Sequence, residues 1–256
     1  MKKILCFVIL AITIGCQRVP EESCMAIDMN RSAYINYGSI VNNQTIRTIS
    51  FFINADNFTD YDNFVVLHSG QGWYLLITTA GKITFAQSFP SGTPSQSSWS
   101  GAAILSAETT YHIVLSYDGS NILNDPILYI NGVTSPIAND TRTDSGTMGD
   151  DSDGVLYVGG LGSSPYYSLD GQLQDVRIYN RILSASEVSE LYNSRCQRVV
   201  MDGLVFWAPM DGAAGLSSFD GATLSSANTI IDRISGVQGI PSGSPIGRGN
   251  TIQRIY

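Results

Sequence analysis

At 256 residues, 43% of them hydrophobic and 14% charged, with 25 glycines, the chain is long enough to bury one substantial core and has the makeup of a β-rich globular protein. Its formal charge of −8, with the 14 Lys and Arg scattered rather than clustered, argues against nucleic acid, because a phosphate partner needs a basic face. Sandwiches commonly reach roughly 200–250 residues as one domain, so length does not demand two.

From the amino terminus, Lys2 and Lys3 precede an apolar run from Ile4 to Ile14 that ends at Gly15-Cys16, the pattern of a secretory signal with a bacterial lipoprotein-type cysteine. The run is too short to cross a bilayer, which takes about 20 apolar residues. Residues 1–15 therefore read as a signal peptide, Cys16 as a lipid-attachment site that would anchor the protein to a membrane, and 16–23 as a short linker. Ordinary signal cleavage nearby is the alternative, since Thr13 stands where Leu or Val is usual. Losing Lys2 and Lys3 from the 14 basic residues leaves 12 against 22 acidic ones, a net −10. Export also changes how the cysteines read. Cys6 leaves with the signal and Cys16 carries lipid, so Cys24 and Cys196 remain as a pair in an oxidising compartment and are expected to form a disulfide. They stand just outside the two ends of the candidate domain, and domain ends often lie close together. Two unrelated buried thiols are the alternative.

From Met25 the chain is a series of short β-branched and aromatic runs separated by turn signals. Strands are expected at Met25–Asp28, Tyr34–Tyr37, Thr48–Asn54, Phe64–His68, Tyr74–Thr78, Lys82–Ala86, Tyr111–Tyr117, Ile127–Asn131 and Val155–Val158. The stretches SQSSWSG around Trp99 and GSSPYYS around Tyr166 and Tyr167 read as loops. From Leu173 to Tyr179 the period is two, with Val176 and Ile178 on one face and Leu173, Arg177 and Tyr179 on the other. Ser184 then stands three residues before Glu187, the spacing at which hydroxyl and carboxylate each satisfy an orphan backbone N–H. Val188, Leu191 and Tyr192 follow at helical spacing, so a short helix is expected near Ala185–Asn193. Beyond it, Leu204, Phe206 and Ala208 alternate with Val205 and Trp207, leaving both faces apolar, as in a strand enclosed by a sandwich. The 54 residues after Asp202 are too few for a second sandwich, which takes roughly 100.

The Asp170-Gly171 pair, the DVRIYNR run and the Leu183-Ser184 entry into a Glu-bearing turn of helix resemble the closing signature of laminin-G-like domains of the concanavalin A-like lectin/glucanase superfamily. TISFFINA resembles that family's early strand, and TYHIVLSYDGS followed by LYINGV its paired central strands, so the resemblance covers most of Met25–Asn193. The family often has two acidic residues just before VRIY, where this chain has Gln174 and Asp175. GLVFWAPMD and the loop GVQGIPSGSPIGRG look like the family's opening, here placed last. The resemblance implies an all-β fold, a two-sheet antiparallel jelly-roll sandwich of concanavalin A-like type with one short helix. It would form one domain over 24–256, circularly permuted so that 203–256 supplies the strand that normally opens it. A truncated second copy that packs elsewhere is the rival.

A search for catalytic constellations mostly removes hypotheses. The glucanases of the superfamily place carboxylates on alternate residues of a strand, about 5–5.5 Å apart; no strand here has that pattern, and Asp151 and Asp153 lie between Gly149 and Gly154 in a turn. His68 and His112 sit within strand patterns and read as structural. There is no phosphate loop after a strand and no zinc spacing. Two binding features remain. Asp118 and the cluster Asp150, Asp151 and Asp153 could supply oxygens to calcium, which takes six to eight at about 2.3–2.6 Å. Trp99, Tyr166 and Tyr167 could stack on sugar faces, with ordinary packing as the alternative. The chain thus reads as a non-catalytic, exported binding module for carbohydrate or glycoprotein. A structural adhesion or virion-surface protein is the second reading, and a glycoside hydrolase a distant third.

Overall fold

The computed structural model describes residues 25–248, apart from 59–62, 162–166, 215, 217 and 219. Its strands form two antiparallel sheets packed face to face. One is eight-stranded. Its central member is β13 (Asp170–Tyr179), which pairs with β3 (Ile46–Ala55) on one side and with both β1 (Ala26–Asn30) and β14 (Leu204–Ala208) on the other. Beyond β3 come β8 (Thr110–Asp118), β9 (Ile127–Ile130) and β10 (Val133–Ser135); beyond β1 comes β17 (Ile246–Arg248). The second sheet has nine strands. In order they are β11 (Ile137–Thr141), β7 (Gln96–Ile104), β6 (Lys82–Ser88), β5 (Trp73–Ile77), β4 (Asn63–His68), β12 (Leu156–Val158), β2 (Tyr34–Asn36), β16 (Gln238–Ser242) and β15 (Ile230–Ile231).

Alternation decides which side chains meet between the sheets. Ile49, Phe51 and Ile53 of β3 and Ile113 and Leu115 of β8 face Trp73, Leu75 and Ile77 of β5 and Ile83 and Phe85 of β6, all essentially without solvent contact. Asn131-Gly132, with φ of 52° and 79°, supplies the two left-handed residues that let β9 turn directly into β10.

The one helix among the described residues, α1 (Ala185–Asn193), starts as its sequence predicts. Ser184 accepts from the Glu187 N–H and Glu187 accepts from the Ser184 N–H. Glu187 also takes both terminal nitrogens of Arg181, at 3.0 and 2.6 Å, which holds its carboxyl down at about 2. Val188 and Leu191 pack on Val114, Tyr129, Tyr179, Leu204 and Trp207, so α1 covers the outer face of the eight-stranded sheet.

Several expectations are revised. Leu173 faces the core together with Val176 and Ile178 rather than opposite them, because Gln174 to Arg177 spans three residues where the partner strand spans Phe52 to Ser50. The extra residue is a β-bulge at Asp175, whose φ is 53°, and it resets the phase of the strand. The bulge aims the Asp175 carboxylate to the outer face of the sheet, into the layer that α1 covers. There it accepts from Trp207 Nε1 at 2.7 Å, the Cys196 N–H at 2.7 Å and Arg177 Nε at 2.9 Å. The Ser-rich stretch around Trp99 is strand β7 rather than a loop, and β10, β11, β15, β16 and β17 are further strands.

The carboxy-terminal segment is built into both sheets: β14 pairs with β13, β17 with β1, and β16 with β2. Trp207 is fully buried. Cys196 is buried; Cys24 and Cys16 lie outside the described residues.

Candidate functional site

The two sheets differ on their outer faces. Helix α1 lies over the eight-stranded sheet, and no helix among the described residues covers the nine-stranded one. The outward positions of that second sheet follow from its inward ones. Trp73 and Leu75 point into the core, so Tyr74 between them points out; Leu156 and Val158 enclose Tyr157 in the same way, and Ile35 leaves Tyr34 and Asn36 outward. All four are partly exposed.

Cross-strand pairing lines these positions up. Ile240 of β16 is opposite Asn36 of β2, which is opposite Tyr157 of β12, which is opposite Leu67 of β4. The row goes on through Tyr74, Ala86 and Ser98 to Thr141 at the far side. The Tyr74 hydroxyl lies 3.4 Å from Gln96 Oε1 on β7, so its ring passes over β6, where Ala86 has no exposed surface. Tyr34 meets Tyr157 edge-on at 5.6 Å; Phe64 meets Tyr74 at 5.2 Å and Tyr167 at 5.9 Å. Ser98, Ser100 and Thr84 add hydroxyls, with Ser100 Oγ held by Thr84 at 3.1 Å and by Asp140. The face therefore joins flat rings to short neutral donors and acceptors, the combination that grips a ligand with apolar faces and a polar rim.

Of the three aromatics expected from the sequence, Tyr167 belongs here, at 39% exposed beside Phe64. Trp99 is a correction: it is wholly buried between the sheets against Phe85 and Tyr117, with its Nε1 donating to Asp125 at 2.7 Å, because Ser97, Trp99 and Gly101 are the inward set of β7. Tyr166 lies outside the described residues. Tyr34, Phe64, Tyr74 and Tyr157 were missed, although a lone aromatic between two core-facing residues, as in Trp73-Tyr74-Leu75, is the signal that marks an outward ring.

The carboxylates expected to bind calcium do not converge: among the described residues no three His, Cys, Asp or Glu are grouped to hold an ion. Asp118 accepts from the Ser120 N–H and Asp150 from the Ser152 N–H, which holds the Asp150 carboxyl below its ordinary value. Asp153 is exposed. Asp151 is instead buried, taking the Asn43 N–H and facing His68 Nδ1 at 3.4 Å. His68 Nε2 lies 3.0 Å from the Ile40 carbonyl, and a Cβ on Gly154 would fall 2.4 Å from the imidazole Cε1, so glycine is required there. Burial lowers the His68 pKa despite Asp151, and lowers that of the neighbouring Arg47, stacked over Trp73, to about 10. This cluster ties loops together behind the sheet.

Among the described residues, one Ser–His pair is in hydrogen-bond reach. Ser50 Oγ lies 3.0 Å from His112 Nε2, but both side chains are buried under α1, with the imidazole stacked between Phe52 and Tyr192. Burial pushes the His112 pKa down to about 3. Sealed in this way, the serine cannot meet a substrate.

The fold and its signatures agree with the comparison to known families: the laminin-G-like model of the concanavalin A-like lectin/glucanases superfamily matches residues 29–189. The chain belongs to this superfamily. Among solved structures, this concanavalin A-like chain is similar to a Bacteroides ovatus protein to which carbohydrate binding is provisionally ascribed, at a TM-score of 0.61 and 17% identity over 90% of the chain. It spans 62% of that protein's length. It is also similar to a heptameric SAP-like pentraxin from Limulus polyphemus, at a TM-score of 0.58 and 11% identity over 91% of this chain and 99% of the other. No curated protein sequence matches the chain.

Proposed function

We propose that the protein is a non-catalytic carbohydrate-binding module that holds its ligand on the outer face of the nine-stranded sheet. The observation that carries this is the set of partly exposed rings, Tyr34, Phe64, Tyr74 and Tyr157, spread over four strands and interleaved with neutral polar groups. The burial of the Ser50–His112 pair supports a non-catalytic role, since the pair has no access to a substrate. The fold-level similarity to a protein with an ascribed carbohydrate-binding role is consistent with the same reading. A glycan array probed with the wild type and with Tyr74→Ala and Tyr157→Ala, each with and without calcium, tests it. We expect both variants to lose about tenfold or more in affinity, equivalent to about 1.4 kcal/mol, while keeping the wild-type melting temperature. Variants that bind like the wild type would remove this face from the account, and the calcium arm decides whether any ion takes part.

The proposal includes export and membrane anchoring through Cys16, on the strength of Lys2, Lys3 and the Ile4–Ile14 run. Palmitate label in the membrane fraction, lost in Cys16→Ser, is the expected result. Unlabelled protein released with particles would favour the adhesion or surface-protein reading instead.

A further inference from the structure

The structure assigns a membrane-contact surface to loop 195–201, on the helix-bearing side of the sandwich, with anionic phospholipid headgroups as its partner. This goes beyond the carbohydrate reading and rests on the Cys16 anchor proposed with it. The loop reads Arg195-Cys196-Gln197-Arg198-Val199-Val200-Met201, two arginines ahead of an apolar triplet. Val199, Val200 and Met201 pack on the layer of Leu204 and Trp207 and keep part of their surface in solvent, while Gln197 and Arg198 are exposed. The fold fixes this loop in advance. Arg177 donates to the Gln197 carbonyl at 2.6 Å and to the Val199 carbonyl at 3.0 Å, and Asp175 takes the Cys196 N–H at 2.7 Å. With its neighbours held in this way, Val200 sits at a φ of 49°, a left-handed conformation that a β-branched residue adopts only where its surroundings impose it.

Charge and tether decide what covers the loop. Asp175 is engaged by Arg177, Asp211 by Arg233 and Asp202 by Arg181. Arg198 has no carboxylate partner among the described residues, its guanidinium lying 6.0 Å from the Trp207 ring. An anionic bilayer repels the strongly acidic remainder of the mature chain and attracts this guanidinium, whose planar fork suits a lipid phosphate. The tether leads to the same place. Ile27 pairs with Leu173, so Met25 stands level with Asp175, and Gln174 donates to the Met25 carbonyl. The chain coming from Cys16 therefore enters the domain beside the loop. From Cys16 to Met25 the full extension is about 30 Å, whereas a domain of this size is about 45 Å across. The side bearing the loop thus cannot turn fully away from a bilayer that holds Cys16. So short a tether keeps the loop at an effective concentration of about millimolar, which populates even a contact that is weak in free solution. The outer face of the nine-stranded sheet, on the opposite side of the sandwich, then points away from the membrane.

Vesicle sedimentation of the lipid-free mature chain (Cys16→Ser, without residues 1–15) at millimolar lipid tests the contact separately from the anchor. One set of vesicles is phosphatidylcholine alone, the other phosphatidylcholine mixed with phosphatidylglycerol. The expected result is binding to the mixed vesicles that high salt weakens, and that Arg198→Gln lowers about fivefold at an unchanged melting temperature. Equal sedimentation with both sets, or Arg198→Gln binding like the wild type, would overturn the inference. Neither result would touch the palmitate labelling of Cys16 or the glycan array, which test the anchor and the carbohydrate reading by themselves.

Discussion

His112 shows how a residue that looks chemical in the sequence becomes structural in the fold. It lies on β8 beneath α1, and its imidazole is enclosed by Ser50, Phe52 and Tyr192, with Arg195 stacked on the Phe52 ring. Burial disfavours the charged form most, Arg177 and Arg195 add to that, and Asp175 alone favours it, so the folded pKa is about 3. The sign of the consequence follows. The unfolded chain takes up a proton near pH 6.5 that the folded chain refuses until about pH 3, so stability falls as pH drops through that window. The added slope is at most about 1.4 kcal/mol per pH unit. Denaturant unfolding from pH 7 to pH 3 should show a steeper slope in the wild type than in His112→Gln, with His68 and Glu187 contributing equally to both. Parallel curves would show that another group takes the proton.

Among the elements, the carboxy-terminal strands have the largest consequence. β14 fills the place beside β13 that the bulge at Asp175 leaves to it, and its Trp207 is held from three sides: Nε1 by Asp175, the backbone N–H by Asp232 at 2.8 Å, and the ring by the Arg177 guanidinium at 4.6 Å. Phe206, Ala208, Met210, Leu224 and Ile230 contribute to the main core. Removing Gly203–Tyr256 would expose that core along both sheets and strip the carboxylate of Asp175 of a partner, a loss no marginal stability of about 5–15 kcal/mol absorbs. A fragment ending at Arg198 is therefore expected to lose its cooperative thermal transition. A folded, soluble fragment would mark these strands as an appendage instead.

Taken as a whole molecule, the sandwich spends its short helix on one sheet, and among the described residues this asymmetry leaves the proposed binding face without a helix over it. The predicted Cys24–Cys196 disulfide belongs to the same scale, because it would close a loop containing both the sheet face and the helix. On the chain-entropy account such a crosslink stabilises by about 4–5 kcal/mol. Thiol titration of the unfolded mature protein, without reductant, should find neither cysteine reactive, and reduction should lower the melting temperature. Two titratable thiols before reduction would refute the pairing.

The sequence by itself determined the class of fold, the helix and most strands, because β-branched alternation, the Ser184–Glu187 cap and the both-sided apolarity of Leu204–Ala208 are local signals that need no knowledge of partners. It also marked Asp175 and Arg177 by resemblance, without disclosing that a bulge sets both against Trp207 in the layer beneath α1. Trp99 misled because its Ser-rich neighbours have weak strand propensity, whereas pairing with β6 and β11 overrides propensity and buries the ring. Asp151 misled for a similar reason, since a carboxylate in a Gly-flanked turn looks solvated until His68 is found facing it. Only the tertiary structure assembled the candidate site. Ile240, Asn36, Tyr157, Leu67 and Tyr74 come from distant parts of the chain, and their alignment is a property of register, which pairing across strands sets and local sequence does not encode.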